Sequence, residues 1–257
     1  MISTPERIKQ IALFLVFVGA WEAIARAGLL PAIVLPAPSA IMARGYDLFA
    51  SGEIWPHLVA TTIEVLLGFA LGVAAGFMFG VFVALLPSVE KYVYPYIVAL
   101  QTVPKVAIAP LFLIWFGYGI TSKVVIAALV CFFPVLVAVM SALHTTDRDQ
   151  LNMMRAFGAS RWQIFRHLRA YAAMPTIFAG IEIASVFAVI GALVGEFVGA
   201  QEGLGHLITT FNFNIDVAGV FAVLIVLSLL GTILHGLVRL VSRRTVFWIR
   251  SDRVNIV

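Results

Sequence analysis

Residues Lys123-Val-Val-Ile-Ala-Ala-Leu-Val-Cys-Phe-Phe-Pro-Val-Leu-Val-Ala-Val-Met-Ser-Ala-Leu143 carry a charge only at the first position. A helix needs roughly 20 apolar residues to cross the hydrocarbon core of a bilayer, so this stretch reads as a transmembrane span. Five more apolar segments flank it, at about 10–30, 58–86, 92–116, 172–200 and 217–240. Short polar or Pro/Gly-marked stretches separate them at 31–57, 87–91, 117–122, 144–171 and 201–216. The expected fold is all-α, a polytopic membrane helical bundle of about six transmembrane helices forming one transmembrane domain over 1–257.

The composition agrees with that reading. Of the 257 residues, 62% are hydrophobic and 12% charged, with a mean hydropathy of +1.04. The charged share is about half that of a soluble domain. A soluble enzyme, a disordered tail and a nucleic-acid module are excluded on this ground. Runs of Leu, Val and Ala suit helices better than barrel strands, which alternate apolar and polar residues. The single Cys131 cannot form an intrachain disulfide. Residues 1–27 carry Arg7 and Lys9, an apolar stretch and Ala25-Arg26-Ala27, a loose signal-peptide pattern; they are read as a retained first span.

Lys and Arg set the expected orientation. With the N-terminus in the cytoplasm, Arg7, Lys9, Lys91, Arg148, Arg155, Arg161, Arg166, Arg169, Arg239, Arg243, Arg244, Arg250 and Arg253 fall on the cytoplasmic side, 13 of the 17 basic residues. Arg44 and Lys123 are left for the opposite side, and Arg26 and Lys105 fall within spans. Both termini are therefore expected in the cytoplasm, in a multi-pass inner-membrane protein.

Three local patterns add detail. Leu35-Pro36-Ala37-Pro38-Ser39 disfavours helix at its prolines, and Ser39 is placed to cap a short helix over about 40–50 that offers Ile41, Met42, Leu48 and Phe49 to the membrane interface; a plain loop is the alternative. The 92–116 segment holds Pro95, Pro104 and Pro110, so it is expected to kink or break. Broken backbone at membrane depth must be covered by protein or water, which leaves a pathway-lining segment and a kinked scaffold helix both open. Among ionisable groups, Glu22 and Arg26 are four apart and can pair, whereas Glu64, Lys105, Glu182 and Glu196 show no local partner. Gln101, Lys105, Glu182 and Glu196 are the pathway and gate candidates. Lys105 follows a helix-breaking proline and either lines the path for an anion or snorkels to the surface; Glu196 sits between glycines near the end of the fifth span, at a gate or bonded to backbone.

Residues 144–171 form the longest later connection, on the positive side. Thr146-Asp147-Arg148-Asp149 reads as a helix start, Gly158 as its stop, and Ser160-Arg161-Trp162-Gln163 as a capping box opening a second short helix. Two short helices meeting at a glycine make a rigid knob that pushes on a partner or lies on lipid as a hairpin. The histidines 57, 144, 167, 206 and 235 show no metal-ligand spacing, Gly117-Tyr118-Gly119 lacks the Thr-Val of a potassium filter, and neither G-x-S-x-G nor a G-x-x-x-x-G-K-[ST] phosphate loop occurs.

Arg155-Ala156-Phe157-Gly158-Ala159-Ser160-Arg161-Trp162-Gln163-Ile164-Phe165, with Pro175 beyond, resembles the coupling segment of ABC-importer permeases. Leu35 to Ser39, Pro104-Lys105-Val106-Ala107 through Trp115-Phe116-Gly117-Tyr118-Gly119, and Gly195-Glu196-Phe197-Val198-Gly199-Ala200 with Gly203-Leu204-Gly205 are similar to the nitrate/sulfonate/taurine and pyrimidine-precursor group. Asn152-Met153-Met154 stands where the family has Glu-Ala-Ala, and Ala170-Tyr171 where it has Leu-Pro.

The resemblance implies a type I ABC-importer permease (MetI-like) fold and a non-catalytic homodimer importing a small anionic or heterocyclic solute. It also implies two copies of a separate ATPase that binds the ATP and Mg, an extracytoplasmic solute-binding protein, and no cofactor or metal in this chain. On the matching positions, Asn152, Arg155, Ala156, Phe157, Gly158, Ala159, Ser160 and Arg161 are the expected ATPase-coupling residues. A secondary transporter, which also uses broken helices and buried charges, is the competing reading.

Overall fold

The computed structural model describes residues 4–248 apart from 29, 32 and 145, so Arg250 and Arg253 of the orientation argument lie outside the described residues. The described chain is helical throughout, without strands: α1 Thr4–Arg26, α2 Pro38–Ala50, α3 Ile54–Leu85, α4 Pro87–Thr102, α5 Lys105–Phe116, α6 Ile120–His144, α7 Arg148–Ala156, α8 Arg161–Ile164, a π-helical turn Phe165–Arg169, α9 Ala170–Gly199, α10 Leu204–Phe213 and α11 Val217–Thr245. Among the described residues five helices are long and apolar enough to cross a membrane, or six if α4 and α5 count as one bent span. The chain divides into two compact units, Met1–Ala60 with Gln201–Ser228 and Thr61–Ala200 with Leu229–Val257.

The larger unit is organised around α6, the 120–144 helix that contains the opening stretch. Thirteen of its residues are buried, among them Ala127, Cys131, Val135 and Val139 at every fourth position. Helix α3 presents Gly68, Gly72, Gly76 and Gly80 at the same spacing. A Cβ added at Gly68 would strike Ala127 Cβ; at Gly72 it would stand 2.6 Å from Ala128 O and Cys131 Cβ; at Gly76, 2.6 Å from Phe132 O; at Gly80, 2.7 Å from Val139 Cβ. Lipid tails are as apolar as leucine, so helices in a bilayer associate through close van der Waals packing, and small residues permit that approach. Helix α9 does the same on α6 through Gly180, Gly191 and Gly195, which meet Ala138, Ala127 and Lys123. Val83, Ile97, Phe133, Leu136 and Met140 then form a buried apolar cluster that fastens α4 to this sandwich.

The prolines act as expected. The chain bends by 92° between α4 and α5, at Val103 and Pro104. Gly117, at φ 78°, then turns it into α6.

In the smaller unit, α2 exists but Ser39 is not its cap. The N-cap is Ala37, without a side-chain bond, and Pro38 takes the first turn, where its missing N–H is no loss. Ser39 bonds instead to Glu22, backbone N–H to Oε2 at 3.0 Å and hydroxyl to Oε1 at 2.7 Å, while Glu22 pairs with Arg26 as its spacing predicts. Ile41 and Leu48 are buried in protein, and Met42 and Phe49 are exposed. Arg44 forms an ion pair with Asp216 at 2.7 Å and lies over the Phe211 ring. The 201–216 stretch, expected to be a polar connection, contains α10, whose Leu204, Leu207, Ile208 and Phe211 are buried.

Overpacking a tight helix contact costs about 1–3 kcal/mol. Gly72→Val is therefore expected to lower thermal stability in detergent by that order, whereas Gly236→Val, with nothing within 4 Å of the new Cβ, should change it by less than about 0.5 kcal/mol.

Candidate functional site

The 147–163 elbow is fixed at both of its helix ends. Asp147 is the N-cap of α7: its Oδ1 accepts the backbone N–H groups of Asp149 at 2.7 Å and Gln150 at 3.4 Å. At the other end Gly158 adopts φ 76°, Ala159 N–H donates to Met154 O at 3.0 Å, and Gly158 N–H donates to Arg155 O at 3.0 Å. This pair of bonds is the Schellman arrangement, and the left-handed residue it requires is best supplied by glycine. Ser160 and Gln163 form the expected capping box, Gln163 N–H to Ser160 Oγ at 3.3 Å and Ser160 N–H to Gln163 Oε1 at 2.8 Å.

The second helix is not a short one, contrary to the sequence expectation. From Arg161 to Gly199 the chain is one helical run of 39 residues, passing through the π-helical turn Phe165–Arg169. Ala170-Tyr171 offers nothing to interrupt it, and the wide turn absorbs the change of register, with Ala170 N–H donating to Phe165 O. The fifth span is thus rigidly continuous with one arm of the elbow.

Helix α7 buries none of its residues. Asn152, Arg155, Ala156, Phe157, Gly158, Ser160 and Arg161 are exposed and Ala159 is half-buried. Phe157 is 84% exposed, with Trp162 at 66% and Met153 at 52%. The capped turn thus holds large apolar side chains away from the rest of the chain, as an exposed apolar patch. A cleft of about 760 Å³ opens beside it, lined by Arg155, Ala159, Arg161, Trp162 and Arg169 among others.

The four pathway candidates do not form one group. Lys105 and Gln101 come together across the α4–α5 break: Lys105 Nζ donates to Gln101 O at 2.6 Å, stands 4.8 Å from the Phe133 ring centroid, and both residues line a cavity of about 220 Å³ with Phe133 and Phe187. Lys105 therefore reaches inward rather than snorkelling. Glu182 is half-buried on α9 outside that lining.

Glu196 is enclosed elsewhere, 2% exposed, accepting the Thr61 hydroxyl at 2.6 Å and lying beside the carboxyl of Glu64. Lys123, expected at the outer surface, is also buried: its ammonium stands 4.0 Å from Glu64 and donates to Tyr118 O at 2.9 Å. These partners come from α3, α6 and α9, 135 residues apart for Thr61 and Glu196, so no spacing rule could pair them. Isolated ionisable residues within apolar spans were the signal, and they mark the group without assembling it.

A multi-pass helical body with one span broken at mid-length and a capped elbow projecting from it defines a membrane permease of the transporter type. Residues 72–247 match the binding-protein-dependent transport system inner membrane component family, and the chain belongs to it. It is 36% identical over 238 residues to the riboflavin transport system permease protein RibX of Chloroflexus aurantiacus, covering 93% of this chain and 88% of that one. It is 39% identical over 218 residues to the formylaminopyrimidine transport permease protein ThiX of Halalkalibacterium halodurans, covering 85% and 86%. The putative aliphatic sulfonates transport permease protein SsuC of Bacillus subtilis is 31% identical over 244 residues, covering 95% and 88%. In fold the chain is similar to an inward-facing structure of the MetNI methionine ABC transporter, with a TM-score of 0.56 at 21% identity over 76% of this chain and 93% of that one. The protein is a permease subunit of an ABC importer for a small solute, a multi-pass inner-membrane component of a family of transport rather than catalytic subunits. The secondary-transporter reading falls away.

Removing one partner of a buried ion pair costs about 3–5 kcal/mol, while replacing both with apolar groups is often neutral. Lys123→Met is expected to lower thermal stability in detergent by that order, and adding Glu64→Met to recover most of the loss.

Proposed function

We propose that this chain forms the translocation pathway of an ATP-driven importer and receives the force of a separate ATPase at the elbow of the 144–171 segment. The carrying observation is mechanical: an exposed apolar tip at Phe157, locked between a Schellman turn and a capping box, is continuous through Ser160 with the 39-residue helix. A surface of this kind suits a cleft on a partner, and motion applied to it travels along α9 as a rigid-body displacement. The working unit is two copies of this chain, two ATPase subunits holding ATP and Mg, and an extracytoplasmic solute-binding protein that delivers the cargo. Both termini face the cytoplasm, which puts Arg148, Arg155, Arg161, Arg166 and Arg169 on the same side as the ATPase.

The solute is a small anion or heterocycle. RibX and ThiX are named for riboflavin and formylaminopyrimidine, and SsuC for aliphatic sulfonates. The α4–α5 break is chemically suited to either kind, since it sets an ammonium and two phenylalanine rings around a cavity of about 220 Å³. Gln101 and Lys105 are the groups that meet the solute, and Glu196 braces the gate end of α9; Glu182, outside that cavity's lining, is not placed on the route.

Two experiments test this reading. Phe157 makes so little contact within its own chain that Phe157→Asp should leave insertion and stability intact while weakening ATPase retention roughly 30-fold, the effect of a central interface anchor worth about 2 kcal/mol. Unchanged co-purification and uptake would refute the coupling role. For orientation, cysteine at Phe213, which is 82% exposed, should react with an impermeant maleimide from outside, and cysteine at Phe157 only after the membrane is opened; the reverse pattern would refute the topology.

A further inference from the structure

Of the three buried side-chain polar atoms without a hydrogen-bond partner among the described residues, two meet in one place. Arg169 and Thr146, which carry the unbonded Nε and Oγ1, both line a recess of about 190 Å³ at the root of the elbow, together with Arg148 and His144. Buried polar atoms are nearly always satisfied, so two exceptions beside one recess call for a partner there, whether water, an ion or a ligand. An arginine N–H, a hydroxyl and a second arginine are a donor set for an anionic oxygen. Of the acidic side chains around it, Glu90 is bonded to His144 Nε2 at 2.8 Å, and Asp147, between two lining residues, is occupied in capping α7.

The depth of the recess selects among anions. Its walls include Leu85 and His144, the last residues of spans α3 and α6, so it lies where two spans leave the bilayer, at headgroup level. Leu143, Leu151 and Phe165 give it an apolar side. The larger cleft shares Leu85, Leu151, Phe165 and Arg169 with it and adds Trp162, which stacks on Phe165 at 5.7 Å, an aromatic pair of the kind that settles at the membrane interface. Basic recesses between spans on the cytoplasmic face are suited to phospholipid headgroups.

We infer that this recess binds the phosphate of an anionic phospholipid, which bridges Arg169, Thr146 and Arg148 and so fastens the elbow's base to the membrane. The inference does not depend on how the ATPase docks, because lipid retention is read separately from transport.

The test uses the full-length chain, with whatever subunits co-purify, in nanodiscs of phosphatidylcholine and phosphatidylglycerol, with retained lipid measured by native mass spectrometry. The wild-type protein should retain phosphatidylglycerol in preference, and Arg169→Gln should lower that preference about fivefold, the factor one arginine supplies near an anionic surface. Thr146→Val should lower it further, Arg169→Lys should keep most of it, and Arg166→Gln, at an exposed neighbour, should leave it unchanged. Arg169→Lys retains charge and bulk, so its behaviour separates loss of the site from loss of the fold. Equal retention by wild type and Arg169→Gln would overturn the inference. So would a stabilisation by inorganic phosphate that Arg169→Gln abolishes, which would assign the recess to the free anion. Loss of a co-purifying subunit from Arg169→Gln with lipid preference intact would assign it to an acidic side chain of that subunit and overturn the inference equally.

Discussion

The larger unit depends on how closely three helices approach one another. In lipid no hydrophobic force draws spans together, and contact has to come from packing and from polar pairs. The glycines at 68, 72, 76 and 80 bring the backbone of α3 onto α6, and those at 180, 191 and 195 bring α9 onto its other side. Side chains at these positions would hold the helices apart and open the buried group formed by Thr61, Glu64, Lys123 and Glu196 to lipid. That group is tolerable only because the surrounding helices exclude lipid and supply partners. Close packing and buried charge therefore support each other: the glycines make the enclosure, and the ionic contacts fix the register within it.

The same enclosure explains why the broken span can exist. Helices α4 and α5 interrupt their backbone at Val103 and Pro104, which is permissible only beside protein or water. The apolar cluster around Phe133 and Met140 covers α4 from the α6 side. On the other side of the break Lys105 extends over the Phe133 ring, so the ammonium is held by a carbonyl and an aromatic face rather than by a counter-ion. That arrangement is the geometry on which the proposed solute-meeting role of Lys105 rests.

What the sequence disclosed follows from the range of each signal. The spans, the proline break, the Glu22–Arg26 pair, the Gly158 turn and the Ser160–Gln163 box are all set within a few residues, and each was legible. Lys123 was misplaced because a single charge at a span's edge looks the same whether it faces water or a buried carboxylate 59 positions earlier in the chain. Ser39 was misassigned for a similar reason: Glu22, 17 residues away, competes for its hydroxyl and backbone N–H better than the helix it begins. The glycine stripe of α3 was legible in principle, since four glycines at intervals of four are a recognised helix-contact pattern, but composition alone hides it among the apolar residues. The continuity of Arg161 with Gly199 was obscured by the polar composition of 161–169, which reads as a short separate helix although the span's helix runs through it.

That continuity gives the coupling proposal its physical content. A helix rises 1.5 Å per residue, so 39 residues make a rod of about 58 Å, with the capped elbow at one end and Glu196 near the other. Along most of its membrane length the rod is pressed against α6 through glycine contacts, which resist bending there. The π-helical turn and Pro175 both lie in the part of the rod close to the elbow. Force applied at the tip enters the rod through this part, so anything that holds Arg169 in place bears on how the stroke is delivered. The recess lined by Arg169, whose Nε has no hydrogen-bond partner, lies at that joint, where the proposed lipid would act on the machine.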